Sequence, residues 1–175
     1  NIIEEIKNIV TQYGTKQFAF KDDSFTINKA RTAAFCDALI QERLNINWEC
    51  NARVDSLDPE LLAKMSTAGC NSIKVGIETG SERILKLINK SITLHQCREA
   101  AKALKGSGIH WTAYFMIGVP TETKDDIYKT LDFMKELGPD FASLSVYEPF
   151  PGTKLYDIGV EKGLVAPERT TENYF

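Results

Sequence analysis

Five short apolar runs in this chain each end in residues equipped for polar or backbone contact. Asp22 and Asp23 follow the run 18–20, Arg53 closes 46–54, and Glu78 closes 72–78 just before Thr79-Gly80. Gly118-Val119-Pro120 follows 111–117, and Glu148, Pro149 and Gly152 follow 141–146. Carboxylates accept hydrogen bonds from an ammonium group or a diol. An arginine grips a carboxylate through two parallel N–H bonds. Glycine near proline lets backbone approach a flat ring closely. A zwitterionic amino acid joined to a nucleoside would use all of these groups. Each residue alone has a plainer use: aspartates shape turns, and Glu78 by itself reads as well as a solvated loop carboxylate or a cap as it does as a ligand-binding group. The repetition at five run ends favours a site.

The elements that must position these residues follow from periodicity. Ile73, Val75 and Ile77 alternate with Ser72, Lys74, Gly76 and Glu78, a period of two and hence a strand. Trp48, Cys50 and Ala52 alternate in the same way with Glu49, Asn51 and Arg53. Helical patterns lie between the strands. Helix 2–13 stops at Gly14, and Asn28 suits the N-cap of helix 28–43. Asp58 with Pro59 starts a helix that Gly69 closes, and Ser81 caps a short one to 88. Thr93 and Gln96 form a capping box for a helix to Gly106, Thr123 caps 124–137, and Thr153 caps a terminal helix. Strand, polar loop and helix repeating every ~30 residues is the βαβ pattern, which forces parallel pairing. Ligands of parallel sheets and barrels bind at the carboxyl ends of the strands. A strand inside such a sheet is covered on both faces, so the Glu49, Asn51, Arg53 face must line a polar cavity. On an edge strand it would mean only solvent.

Composition narrows the function classes. The 175 residues suffice for one domain, 1–175, whose tail 164–175 is expected to be loosely held. A net charge of −3 argues against a nucleic-acid partner, which requires a basic patch. No apolar run is long enough to cross a bilayer, so no membrane role is expected. Cys36, Cys50, Cys70 and Cys97 are dispersed, with no CxxC spacing, as in a reduced, cytoplasmic protein. His95 and His110 stand apart, whereas metal sites need clustered ligands.

Several stretches together resemble the radical S-adenosylmethionine (SAM) superfamily. They are Phe20-Lys21-Asp22-Asp23-Ser24-Phe25, Trp48 with Arg53-Val54-Asp55, Ala68-Gly69-Cys70, and Val75-Gly76-Ile77-Glu78-Thr79-Gly80. Further along come Ile88-Asn89-Lys90 with Ile92-Thr93, the run 115–123 and Pro149-Phe150-Pro151-Gly152-Thr153. The similarity is strongest to the branch with cobalamin-associated methyltransferases and anaerobic magnesium-protoporphyrin ester cyclase. It implies an α/β fold, a partial (β/α) TIM-like barrel with a parallel sheet. The five strands would be the second to sixth of a (β/α)6 barrel. It also implies S-adenosylmethionine and a 4Fe-4S cluster as cofactors, reductive cleavage to a 5′-deoxyadenosyl radical, and hydrogen abstraction or methyl transfer on a small-molecule substrate. By that resemblance Asp22 or Asp23 holds the methionine amino group, Arg53 the carboxylate and Glu78 the ribose. Backbone around Gly118 and from Pro149 to Gly152 meets the adenine.

One departure is large. The family's CxxxCxxC motif, whose thiolates carry the cluster, is missing from this sequence. The chain is therefore expected to be the part of a longer protein that follows the cluster loop, with any cobalamin domain also elsewhere. The strand at 18–20 would then be an exposed edge that invites pairing with a second copy. Two other readings use the same rim. A barrel lyase or aldolase would need a reactive lysine, for which Lys74 is the one candidate inside a strand, or a metal-ligand cluster at the strand ends; a non-catalytic barrel domain would need neither.

Overall fold

The structure, a computed structural model, describes residues 2–166; most of the tail 164–175 thus lies outside the described residues. Within them, β1 (Gln17–Ala19), β2 (Asn47–Ala52), β3 (Cys70–Glu78), β4 (His110–Ile117) and β5 (Phe141–Val146) form one sheet in that order. Every neighbouring pair is parallel. The sheet curls into a half-barrel, as the family resemblance implies.

Seven α-helices occur among the described residues: α1 (Ile2–Tyr13), α2 (Lys29–Gln41), α3 (Pro59–Thr67), α4 (Glu82–Leu87), α5 (Leu94–Ser107), α6 (Lys124–Leu137) and α7 (Lys154–Glu161). Their starts follow the capping residues in the sequence. Asn28 accepts from Arg31 N–H at 3.0 Å, Asp58 from Leu61 N–H at 2.8 Å, and Thr153 from Tyr156 N–H at 3.2 Å. Thr93 and Gln96 make the expected reciprocal box. One stop differs: α5 continues past Gly106 and ends at Gly108, which takes the left-handed conformation with φ 72°. Gly106 is simply a helical residue.

Alternation along the strands separates two faces. Trp48, Cys50, Ile73, Val75, Ile77, Trp111, Ala113 and Phe115 are buried and belong to the core that the helices cover. Phe20, Phe25, Phe35 and Trp48 close that core near β1, with ring centroids 5.0–5.7 Å apart. Burying such side chains contributes about 1.5–3 kcal/mol each. Glu49, Asn51, Lys74, Gly76 and Tyr114 occupy the alternate positions, so they point to the opposite, concave face. β2 is internal, between β1 and β3. Its polar face is therefore cavity lining and not edge exposure.

Candidate functional site

Parallel pairing in sequential order puts all five strand ends on one rim. At the ~4.8 Å strand spacing, the tips of β2 to β5 span about 14 Å. Two clefts open along this rim.

The first has a volume of 280 Å³ and is lined by Asp23, Asn51, Arg53, Lys74, Gly76, Glu78, Lys90 and Tyr114 among others. Glu78 is placed by an irregularity. The β3–β4 register shifts between Gly76 and Glu78, so two steps of β3 face one of β4. Glu78 adopts φ 72° there, a left-handed conformation that costs a non-glycine residue about 1–2 kcal/mol. A bulge of this kind re-aims a side chain. Gly76 completes the arrangement, because a Cβ at that position would collide with Glu78 Oε1 and approach Lys90 Nζ.

Each charged side chain that projects from the strands into this cleft holds a counter-ion. Lys90 donates to Glu78 Oε1 at 2.7 Å. Arg53 donates through Nε and Nη2 to the two oxygens of Asp55, at 2.9 and 2.8 Å. This pairing holds the Asp55 carboxyl below its ordinary range and pushes Arg53 up. Lys74 donates to Glu49 Oε1 at 2.6 Å, with Lys21 3.7 Å from the same oxygen. The Lys74 ammonium depresses the Glu49 carboxyl. The two-pronged grip expected of Arg53 is thus present, but its partner is Asp55. Lys74 is committed to Glu49 and does not stand alone in an apolar pocket, the setting that activates a lysine nucleophile.

The second cleft, of 490 Å³, lies at the tips of β4 and β5 and includes Gly118, Val119, Pro120, Thr121, Tyr147 and Pro149. Gly118 has φ 84°, and its N–H donates to Glu122 Oε2. Of the residues singled out in the sequence, Asp23, Arg53 and Glu78 meet in the first cleft, while Gly118 and Pro149 meet in the second. Asp22 turns aside: its carbonyl accepts from Asn51 Nδ2 at 3.2 Å and its carboxylate lies 3.9 Å from Arg31. Gly152, with φ 85°, shapes the turn before α7 and lines neither cleft. Lys90 and Asp55 belong to the site although spacing assigned them no role. Asp55 stands two residues from Arg53 at the end of β2, whereas Lys90 lies in the loop between α4 and α5, where position gave no signal.

The four cysteines do not fit an iron–sulfur cluster. All are buried. Burial pushes the Cys36 thiol up to about 12 and the Cys97 thiol to about 11, and the Cys50 neighbour together with burial raises Cys70 still further. Cluster ligands are thiolates. Among the described residues, no group of His, Cys, Asp or Glu is arranged to hold a metal ion. The rim's carboxylates, arginine and bare Gly76 cradle in one cleft, with backbone beside Val119, Pro120 and Pro149 in the next, are groups that an adenosylated amino acid can use.

Comparison with known proteins decides the family. A sequence profile described as the Radical SAM superfamily matches residues 1–134. The chain belongs to the radical SAM superfamily. An uncharacterized methyltransferase of Pyrococcus horikoshii is 36% identical over 164 residues, covering 94% of this chain and 36% of that protein. An anaerobic magnesium-protoporphyrin IX monomethyl ester cyclase of Rubrivivax gelatinosus is 30% identical over 157 residues, covering 89% of this chain and 28% of its own length. This radical SAM chain thus spans about a third of these relatives. Among solved structures, the radical SAM methyltransferase TsrM of Kitasatospora setae, with cobalamin and a 4Fe-4S cluster bound, superposes with TM-score 0.79. It shares 16% identity, over 88% of this chain and 32% of that one. Coproporphyrinogen III oxidase of Escherichia coli gives TM-score 0.70 at 15% identity, over 98% and 41%. At such identities the likeness shows the fold, a partial radical SAM barrel.

Proposed function

We propose that this chain is the S-adenosylmethionine-binding part of a radical SAM iron–sulfur enzyme acting on a small-molecule substrate by hydrogen abstraction or methyl transfer. The observation that carries the reading is the convergence of Asp23, Arg53 and a strained Glu78 in one rim cleft beside the Gly118 and Pro149 cleft. Family membership supplies the ligand's identity. When bound, S-adenosylmethionine would supply a sulfonium C–S bond for cleavage by one electron from the 4Fe-4S cluster.

The chain's own residues bind and orient. Glu78 accepts from the ribose hydroxyls once Lys90 gives up its oxygen. Arg53 turns from Asp55 to the ligand carboxylate, and Asp23 accepts from the ligand ammonium. At Glu78 and Arg53 a ligand contact replaces an internal ion pair, so these two charges are not stranded in the free site. The gain is the surplus of ligand contacts over the internal ones. Backbone at Gly118 and Pro149 takes the adenine, and Gly152 sets the turn that carries Pro149. Cluster thiolates come from residues beyond these 175. The fold is shared with TsrM, which was solved with cobalamin bound, and this makes cobalamin a candidate second cofactor of the parent.

Among the described residues no helix is long and apolar enough to cross a membrane. Four unpaired thiols suit a reducing, cytoplasmic setting. The outer edge of β1 offers its backbone to one further strand, from the rest of the protein or from a second copy. Titration of the protein with S-adenosylmethionine tests the proposal. Saturable binding, competed by S-adenosylhomocysteine and weakened in Glu78→Gln and Arg53→Gln, supports it; no binding, or binding indifferent to both changes, rejects it.

A further inference from the structure

Four buried polar side chains cluster behind the rim, away from both clefts' walls. Thr79 and Thr130 are fully buried, and Ser81 and Asp126 are 3% exposed. Asp126 sits in the first turn of α6. It accepts from Ser81 Oγ at 2.6 Å, from Thr123 N–H at 3.0 Å and from Thr123 Oγ1 at 2.6 Å, and also from Arg83 Nη2. Arg83, with Ser81 and Thr123, holds the Asp126 carboxyl well below the usual carboxylate range. One turn later Thr130 Oγ1 lies 2.9 Å from Thr79 Oγ1 and accepts from Gly80 N–H at 3.1 Å. A Cβ at Gly80 would strike the Lys129 carbonyl and Phe133, so the loop after β3 lies directly against α6. Arg83 continues the chain to the loop after β4, where Nη2 donates to Thr121 O at 2.9 Å.

The residues beside this network are strained. Glu78 (φ 72°) immediately precedes Thr79, and Thr121 (φ 73°) is the residue whose carbonyl Arg83 holds. Left-handed non-glycine residues persist only where their surroundings over-determine them. Here the surroundings are the same few side chains for both loops.

The geometry points to Asp126, acting through Arg83 and Ser81 and backed by Thr130 one turn on, as a positioning residue that splints the ribose-binding tip of β3 to the adenine-binding tip of β4. The inference rests on the reading of the rim as an S-adenosylmethionine site. It goes further in assigning the two halves of the ligand to separate supports. The adenosine half depends on the α6 splint. The methionine half, held at Asp23 and Arg53 beside β1 and β2, does not.

Calorimetric titrations of the full protein with 5′-deoxyadenosine and with methionine, each alone, test the assignment. Asp126→Asn should weaken 5′-deoxyadenosine by about tenfold or more, the equivalent of one charged hydrogen bond, and leave methionine within about twofold. Arg83→Gln provides a second variant that should fold normally, because Arg83 is half exposed; it should show the same one-sided loss. Asp140→Asn is the control. Its carboxylate accepts from Trp111 N–H at 2.9 Å at the opposite end of the sheet, so both affinities should stay unchanged. Equal weakening of both half-ligands in Asp126→Asn and Arg83→Gln, or no weakening of either, overturns the splint while leaving the site intact. Failure of wild-type protein to bind 5′-deoxyadenosine or S-adenosylhomocysteine overturns the site reading and the splint with it.

Discussion

Replacing Glu78 by alanine and by glycine separates what its backbone costs from what its carboxylate does. Both variants lose the carboxylate and the Lys90 pair, so their difference isolates the conformation at φ 72°. A left-handed residue with a Cβ costs about 1–2 kcal/mol. Glycine escapes that cost but loses an extra ~0.5–1 kcal/mol of chain entropy on folding. Glu78→Gly should therefore be more stable than Glu78→Ala by about 0.5–1 kcal/mol, or roughly 1–4 °C in melting temperature for a domain of this size. Against wild type, relief of strain offsets the lost ion pair, itself worth about 0–1 kcal/mol. Glu78→Gly should thus unfold within about 1 kcal/mol of wild type. Ligand binding behaves differently. Both variants should lose about 1.5–3 kcal/mol, or roughly 10- to 150-fold in affinity for S-adenosylmethionine. Urea unfolding gives the first comparison and calorimetry the second. Equal stability of the alanine and glycine variants would show that position 78 is not strained. Unchanged affinity in either would remove Glu78 from the site.

Three further outcomes follow from the same geometry. Gly76→Ala should leave stability unchanged or raise it by about 0.5 kcal/mol, since only flexible side-chain ends obstruct the new methyl and alanine suits a strand better than glycine. Its affinity for S-adenosylmethionine should fall, as the Glu78 and Lys90 pair is pushed aside; normal affinity would show that the bare floor is not needed. Asp126 has a lowered folded-state pKa, so its stabilisation is complete above the unfolded value near ~3.9 and is lost as pH falls through the folded one. Asp126→Asn should therefore show a shallower acid loss of stability than wild type below about pH 4, and parallel curves would refute it. Cys36, Cys70 and Cys97 should resist iodoacetamide near pH 8 in the folded protein, where an ordinary thiol of pKa ~8.5 reacts, and should label only after unfolding. Rapid labelling of any of them in the native state would contradict their burial.

The helix starts were legible because they rest on local chemistry. Asn28, Asp58, Ser81, Thr93, Thr123 and Thr153 each satisfy N–H groups a few residues away, and the structure places a cap at every one. Parallel pairing was legible from the repeat, because a strand feeding a helix leaves few alternatives. The end of α5 was not, since Gly106 and Gly108 are equally able to close a helix and tertiary packing chose the later one. The same limit applies to the site. Asp23, Arg53 and Glu78 fall at strand ends by position alone. The groups that hold them in place are less legible: Lys90, the partner of Glu78, comes from the loop before α5, twelve residues on, and Asp126 lies 45 residues from the Ser81 it binds. Nor does alternation reveal the bulge that turns Glu78 into the cleft, because the period of two runs smoothly through it.

A crystal structure of the protein with S-adenosylhomocysteine tests the central claim most directly. The account predicts one ligand laid across the tips of β2 to β5, with its ribose hydroxyls on Glu78, its carboxylate on Arg53 and its adenine against backbone near Gly118. A ligand bound elsewhere, with Glu78 still held by Lys90 and Arg53 still held by Asp55, would contradict it.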